Sequence, residues 1–272
     1  MKKHLKFKDG SQVWRILISS TDKIVFETRN TEKKEAFFSC YKLDGGKKLF
    51  KGLQPVEKYW TGIEDVYEDI ILFHRFAKPD MPGHKSIIAF DVLSKEILWE
   101  NNEYSFLFLL NNKIYCFVQK FEGRRFYTID PYSGKLLEEL GDDSFSINEF
   151  KYKADEEKDW SGYLFPRIFN ASEIESVKFK DIVYSVTDKK SLNGEIEYAE
   201  YKNKLYVNFH YNVGAGILEN KLIVYDITID KIIFSEILNS AVISYVPDSF
   251  FIYKDYLILL KEKNEVIVYK LE

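Results

Sequence analysis

One phrase recurs along this chain, and a recurring phrase constrains a fold more tightly than composition does. It is an apolar strand ending in an aromatic, then a polar residue, a turn and a second short apolar strand. It runs from Phe38-Ser39-Cys40-Tyr41-Lys42 to Leu49-Phe50, and returns as Ile87-Ile88-Ala89-Phe90-Asp91 with Ile97-Leu98-Trp99 beyond the turn. Tyr127-Thr128-Ile129-Asp130 leads to Leu136-Leu137, and Ile223-Val224-Tyr225-Asp226 to Ile232-Ile233-Phe234. Ile267-Val268-Tyr269-Lys270 stands last. Before each lies a turn residue and another apolar strand, anchored at Ile24, Ile70, Ile114, Leu205 and Tyr256. These anchors are 46, 44, 91 and 51 residues apart, and 91 is about twice the usual step. One unit is therefore hidden between Ile114 and Leu205, where residues 163–169 and Ile182-Val183-Tyr184 supply its strands.

Ten residues before the first three anchors stand Trp14, Trp60 and Tyr104, each opening an innermost strand; Glu195 and Val246 hold that offset later. Six units of about 45 residues, each with four short strands, predict an all-β chain: one β-propeller domain over residues 1–272, with an irregular fourth blade. The last unit lacks a fourth strand. Leu5 and Phe7 alternate with His4, Lys6 and Lys8, so residues 4–9 are expected to supply it and cover an open sheet edge. The 22 Phe, 19 Tyr and 4 Trp against 13 Gly suit pleated, half-buried surfaces.

The stretch from Ala89-Phe90-Asp91 through Ser94-Lys95 to Leu98-Trp99 resembles the repeat of quinoprotein-like β-propellers, as does Tyr127 to Leu137 with its Ser133-Gly134-Lys135 turn. That resemblance implies a fold and no chemistry, because such repeats serve enzymes and scaffolds alike. Through Tyr59-Trp60-Thr61-Gly62 and residues 79–85 the chain also resembles an uncharacterised bacterial propeller-like family, which implies no activity.

A net charge of −4, with only six Arg among 39 cations, argues against nucleic acid as a partner. The longest charge-free run, Leu205 to Leu218, holds two Asn and one His and is too short and too polar to span a bilayer. No apolar run follows the basic N-terminal residues, so a cytoplasmic protein without membrane insertion is expected. Cys40 and Cys116 lie in apolar strands and read as buried, reduced thiols.

Catalytic signatures are absent: there is no HExxH, GxSxG, Walker loop or paired-cysteine motif, and no cofactor is expected. Gly214-Ala215-Gly216 is followed by a strand and reads as a hairpin turn, not a dinucleotide loop. The stretch from Glu138 to Asp159, with nine acids and three lysines, reads as a solvated loop. His74, Asp80 and His84 flank a long loop, residues 76–85, and two His with a carboxylate form an acceptable metal set. A plain surface excursion is the simpler reading of that loop.

Superposing the units places Arg29, Arg75, Gln119, His210 and Lys261 at one offset, five residues after each anchor. Trp14, Trp60 and Tyr104 are expected on the same face as this cationic column. Aromatics and cations together suit a protein partner or an anionic small molecule. The leading expectation is thus a non-enzymatic binding or scaffold module that presents Trp14, Arg29, Trp60, Arg75, Tyr104, His210 and Lys261. The alternative is a small-molecule-binding or metal-dependent enzyme using the mouth of a central channel, with His74, Asp80 and His84 around a metal.

Overall fold

In the computed structural model, which describes residues 1–78, 81–174, 176–187 and 191–271, the residue two places before each anchor has left-handed backbone. Its φ is 56° at Asp22, 49° at Glu68, 58° at Asn112, 55° at Asn203 and 49° at Lys254. A positive φ at this point gives the tight reversal that joins two antiparallel strands. The repeat is therefore a repeat of hairpins. A second recurring reversal follows the aromatic column. The Asp91 carboxylate accepts from the amides of Leu93 and Ser94, Asp130 from those of Tyr132 and Ser133, and Asp226 from those of Thr228 and Ile229. Each Asp mimics a backbone turn with its own side chain.

Two units are distinguished, one of Ser11–Asp159 and one of Met1–Gly10 with Trp160–Glu272. Strand β1 (Lys2–Lys8) belongs to the second. The first unit holds three four-stranded antiparallel sheets, each a simple meander. They are β2 (Gln12–Ile18), β3 (Lys23–Asn30), β4 (Glu35–Lys42) and β5 (Lys48–Leu53); β6 (Thr61–Tyr67), β7 (Ile70–Lys78), β8 (Met81–Asp91) and β9 (Glu96–Asn101); and β10 (Ser105–Leu110), β11 (Lys113–Lys120), β12 (Gly123–Ile129) and β13 (Leu136–Gly141). Helix α1 (Ser144–Glu157) ends the unit.

The period-two rule explains the packing of the middle sheet. Ile71, Phe73, Ile88 and Phe90 form one core with Val25, Phe38 and Cys40 of the first sheet. Their alternates Ile70, Leu72, Ile87 and Ala89 form another with Ile114, Cys116 and Ile129 of the third. Buried on both faces, β7 has to read as an unbroken apolar run at Ile70–Phe73. The outermost strands β9 and β13 are largely exposed and carry charges.

The second unit contains β14 (Tyr163–Leu164), β15 (Arg167–Ile168), α2 (Val177–Thr187), β16 (Glu197–Tyr201), β17 (Lys204–Gly214), β18 (Ile217–Asp226) and β19 (Lys231–Val242). It continues with β20 (Phe250–Tyr253), β21 (Tyr256–Lys261) and β22 (Glu265–Lys270). One sheet has the order β15-β16-β17-β18-β19 and the other β1-β22-β21-β20-β14. The N-terminal strand does pair with the last one: Phe7 lies opposite Val266 and Leu5 opposite Val268, with both residues buried.

The hidden unit takes a different form. Five sheets are present among the described residues, and residues 163–168 lend one short strand to each sheet of the second unit. Ile182-Val183-Tyr184 is helical, not extended. Phe179, Ile182 and Val183 follow the three-and-four spacing of a helix face and cover Leu205, Val207 and Phe209. Within Glu138 to Asp159, read as a loop, lies α1, capped by Asp143 and holding Ile147 against Phe108, Tyr115 and Phe126. Each helix covers a sheet face that would otherwise be bare. The loop expected at residues 76–85 is largely strand, with β7 running to Lys78 and β8 starting at Met81, and β17 and β18 join at Gly214-Ala215-Gly216 as expected. Among the described residues no helix is long and apolar enough to cross a membrane.

Candidate metal centre

Two irregularities in the middle sheet bring three ligating side chains together. In β6 the pairing with β7 shifts between Ile63 and Asp65, leaving Glu64 as an extra residue. In β7 against β8 it shifts between Phe73 and Arg75, with Ser86 at a φ of 64° on the partner strand. Such bulges re-aim side chains and are frequent beside functional sites. His74 and Phe76 sit two apart on β7, and Phe76 lies opposite His84 on β8, so all three share a face.

Glu64, His74 and His84 offer ligand atoms that all lie within 4.8 Å of one another. His84 Nδ1 is 2.8 Å from Glu64 Oε1, and His74 Nδ1 is 3.0 Å from the same oxygen. The two imidazoles stack with centroids 3.5 Å apart, and Phe76 presents an edge to both. His74 is 1% exposed, and neither of its ring nitrogens has a hydrogen-bond partner. Its Nδ1 is thus near the carboxylate without lying on the line of a hydrogen bond. Burial pushes the Glu64 carboxyl up, but the contacts from His74 and His84 outweigh it and hold the pKa at about 2. Burial lowers the pKa of His74, against the pull of Glu64, and so favours the neutral imidazole that binds metals.

The seat beneath His74 is rigid. Arg29, itself buried, is ion-paired to Glu27 and donates to the carbonyls of Tyr59 and Thr61. Glu27 accepts from the Ile63 amide, and Thr61 Oγ1 donates to the His74 carbonyl. The Arg29 guanidinium lies between 5.4 and 5.6 Å from the ring centroids of Trp14, Tyr59 and Phe76. Trp60 packs on Tyr59 and Phe76. His84 is the more exposed member: its side chain is 32% exposed, and Ser105 Oγ donates to its carbonyl.

Of the residues singled out in the sequence, Trp14, Arg29 and Trp60 are linked to His74 and His84 through Arg29 and Phe76. Asp80 lies outside the described residues. Glu64, which the sequence reading missed, contributes the carboxylate; its signal was the break in alternation at Ile63-Glu64-Asp65. Arg75 donates to Glu100 through both terminal guanidinium nitrogens and to Asn102 through one of them. Tyr104 packs beside Tyr127 in the third sheet. His210 and Lys261 belong to the other unit, where His210 is buried and Lys261 pairs with Glu236. Arg29, Arg75 and Lys261 of the cationic column thus already have carboxylate partners. Cys40 and Cys116 are free and buried.

Comparison with known proteins gives little chemistry. Residues 18–99 match a domain of unknown function (DUF4905), which is less than half of the chain. No curated protein matches. Among solved structures, the chain is similar to the apo form of prolyl oligopeptidase B from Galerina marginata, at 12% identity and a TM-score of 0.34. That match covers 90% of this chain but only 29% of the oligopeptidase. A member of the DUF4221 family from Bacteroides vulgatus matches at 12% identity and a TM-score of 0.31, over 98% of this chain and 96% of its own. The uncharacterised protein lmo1340 from Listeria monocytogenes EGD-e matches at 12% identity and a TM-score of 0.34, over 97% and 95%.

Proposed function

We propose that this chain is a ligand-binding β-protein whose ligand is a divalent transition-metal ion, zinc first, held by Glu64, His74 and His84. The observation that carries this reading is one carboxylate oxygen within 3.0 Å of two imidazole nitrogens, beside a buried ring that lacks any hydrogen bond. Ligand atoms around a tetrahedral zinc ion, with bonds near 2.0–2.1 Å, stand roughly 3.3 Å apart. The two carboxylate–imidazole distances need only lengthen slightly to meet that spacing. The stacked rings must splay so that both nitrogens aim at one ion, and His84, the more exposed of the two, has the room to do so. Imidazole with a single carboxylate suits zinc better than calcium or magnesium, which prefer oxygen cages. Three protein ligands leave a fourth position for water or a small molecule, which is where metal-dependent chemistry would occur.

The test is competition with a chromophoric chelator, using protein first stripped of metal. One zinc ion per chain is expected, with uptake abolished in the His74→Ala, His84→Ala double variant and at least tenfold weaker in Glu64→Gln. Asp80→Ala should leave the stoichiometry at one. Folded wild-type protein that takes up no zinc would end this reading.

A second reading, a non-enzymatic module that binds a protein partner or an anionic ligand, is favoured by Trp14, which is 54% exposed above Arg29. An anion there must compete with the carboxylates that already hold the cations. In the same reading the sheets are blades of a β-propeller of the quinoprotein-like kind, six in number with an irregular fourth. The support is the meander order of three successive sheets and the pairing of β1 with β22. A cytoplasmic location belongs to the same proposal, supported by two free, buried thiols.

A further inference from the structure

The positions three and five residues after an anchor point to the same face of their strand, and in two sheets both are polar and buried. In β3 they are Glu27 and Arg29, which satisfy each other and the neighbouring backbone. In β17 they are Asn208 and His210. Glu197 lies opposite Asn208, Asn220 opposite His210, and Asn239 opposite Asn220. Residues that face each other across a ladder share a face of the sheet, so a polar row crosses four strands. None of its five members is more than 5% exposed.

An irregular segment, residues 245–249, is strapped over this row. The Val246 amide donates to His210 Nε2 at 3.1 Å, and the Asp248 amide to Glu197 Oε1 at 3.2 Å. Asn220 Nδ2 donates to Ser249 Oγ at 2.8 Å, and that hydroxyl donates to the Val246 carbonyl. Asn208 Nδ2 donates to Glu197 Oε2 at 2.7 Å. Three buried atoms of the row remain without a partner: Asn208 Oδ1, Asn220 Oδ1 and His210 Nδ1. Buried polar atoms are almost always bonded, so three together require an account.

Their chemistry defines what would satisfy them. His210 Nε2 accepts a backbone N–H, so the proton of the neutral ring is on Nδ1, which is a donor. The two amide oxygens are acceptors. An anion would face two carbonyl oxygens and Glu197, and a cation would face the imidazole N–H. The complement is uncharged, donates twice and accepts once. We infer that Asn208, His210 and Asn220 form an internal binding site for one small uncharged hydrogen-bonding molecule, of which water is the smallest, closed by residues 245–249. A buried water typically makes about three hydrogen bonds, the number available here. This site is separate from Glu64, His74 and His84 and does not depend on the metal reading.

The test is a crystal structure near atomic resolution, with the His210 tautomer read by nitrogen-15 NMR of the same full chain. Density within hydrogen-bond distance of all three atoms, with the proton on Nδ1, is the expected result. A single-atom peak identifies water. Larger density, matched by an added mass in native mass spectrometry, identifies a bound polar solute. In Asn220→Leu the density should vanish and the Val246 amide should exchange its hydrogen at least tenfold faster. Direct pairing among the three side chains, a proton on Nε2, or unchanged Val246 exchange in that variant would overturn the inference.

Discussion

Gly62 gives the His74 ring its seat: a Cβ at Gly62 would stand 3.0 Å from both Cε1 and Nε2 of that imidazole, and 3.1 Å from an Arg29 guanidinium nitrogen. Any other residue there pushes the ring toward His84 or the guanidinium toward Glu27. Gly62→Ala should therefore cost about 1–3 kcal/mol, as overpacking does in a well-filled core. It should also weaken zinc binding, whereas Gly10→Ala, strained by a φ of 89° but outside the cluster, should lower stability and leave zinc affinity unchanged. Urea denaturation alongside chelator competition measures both effects, and an unchanged midpoint with unchanged affinity would show that the ring is not seated on Gly62.

The buried Arg29–Glu27 pair makes a contrast with its column mates. Arg29→Ala removes one partner and leaves Glu27 buried and unpaired, a loss expected at about 3–5 kcal/mol. Arg75 and Lys261 pair in partly exposed sites, so Arg75→Ala and Lys261→Ala should each cost no more than about 1 kcal/mol. Equal effects of the three substitutions on the denaturation midpoint would contradict the burial of Arg29.

Asp69 carries a pH dependence. Burial pushes its pKa up, but hydrogen bonds from Lys23 and Thr21 and the Lys23 charge together hold it below the usual carboxylate value. A carboxyl depressed by folding stabilises the folded state above its unfolded pKa, and that contribution is lost as pH falls through its folded pKa. Asp69→Asn should thus be less stable than wild type at pH 7, by about 1.5–3 kcal/mol for a charged hydrogen bond. The difference should shrink toward zero as the pH is lowered below 4, traced by denaturation midpoints. A gap that stays constant across that range would remove the carboxylate charge from the account.

The thiols give a prediction about access. Burial pushes both Cys40 and Cys116 up to about 12, with a small opposing pull from Lys23 on Cys40. At neutral pH neither carries thiolate, the reactive form. A thiol reagent should label both only after denaturation, and labelling of native protein within minutes would mean that these cores open easily.

The hairpin repeat could be read from the sequence because its cause is local. A turn residue with positive φ precedes an apolar run, and the run is unbroken because both faces of the strand are covered. The hidden unit could not be read this way. The run Ile182-Val183-Tyr184 is too short to tell strand from helix, and only with Phe179 does the helical spacing emerge. Two of the three members of the candidate metal cluster were visible, since His74 and His84 flank one hairpin. Glu64 was not, because it stands on another strand, and the register that sets Gly62 opposite His74, and so Glu64 on the same face, is a tertiary pairing. The destination of Arg29 was misjudged for a related reason. A charge at a strand end is usually solvated, and the sign that this one is not is Glu27, two residues earlier on the same face.

The pairing of Phe7 with Val266 also has a consequence in time. Strand β1 waits for a partner made about 260 residues later. Ser11–Asp159 lies wholly between them and can close its three meanders from contacts near in sequence, which form fast. In the sheet that holds β1, strands β20, β21 and β22 also pair locally, but the β1–β22 ladder spans more of the chain than any other, so it should be the last to form. Until then β1 is an unpaired edge on a growing polypeptide, and its alternating lysines keep that edge soluble while it waits.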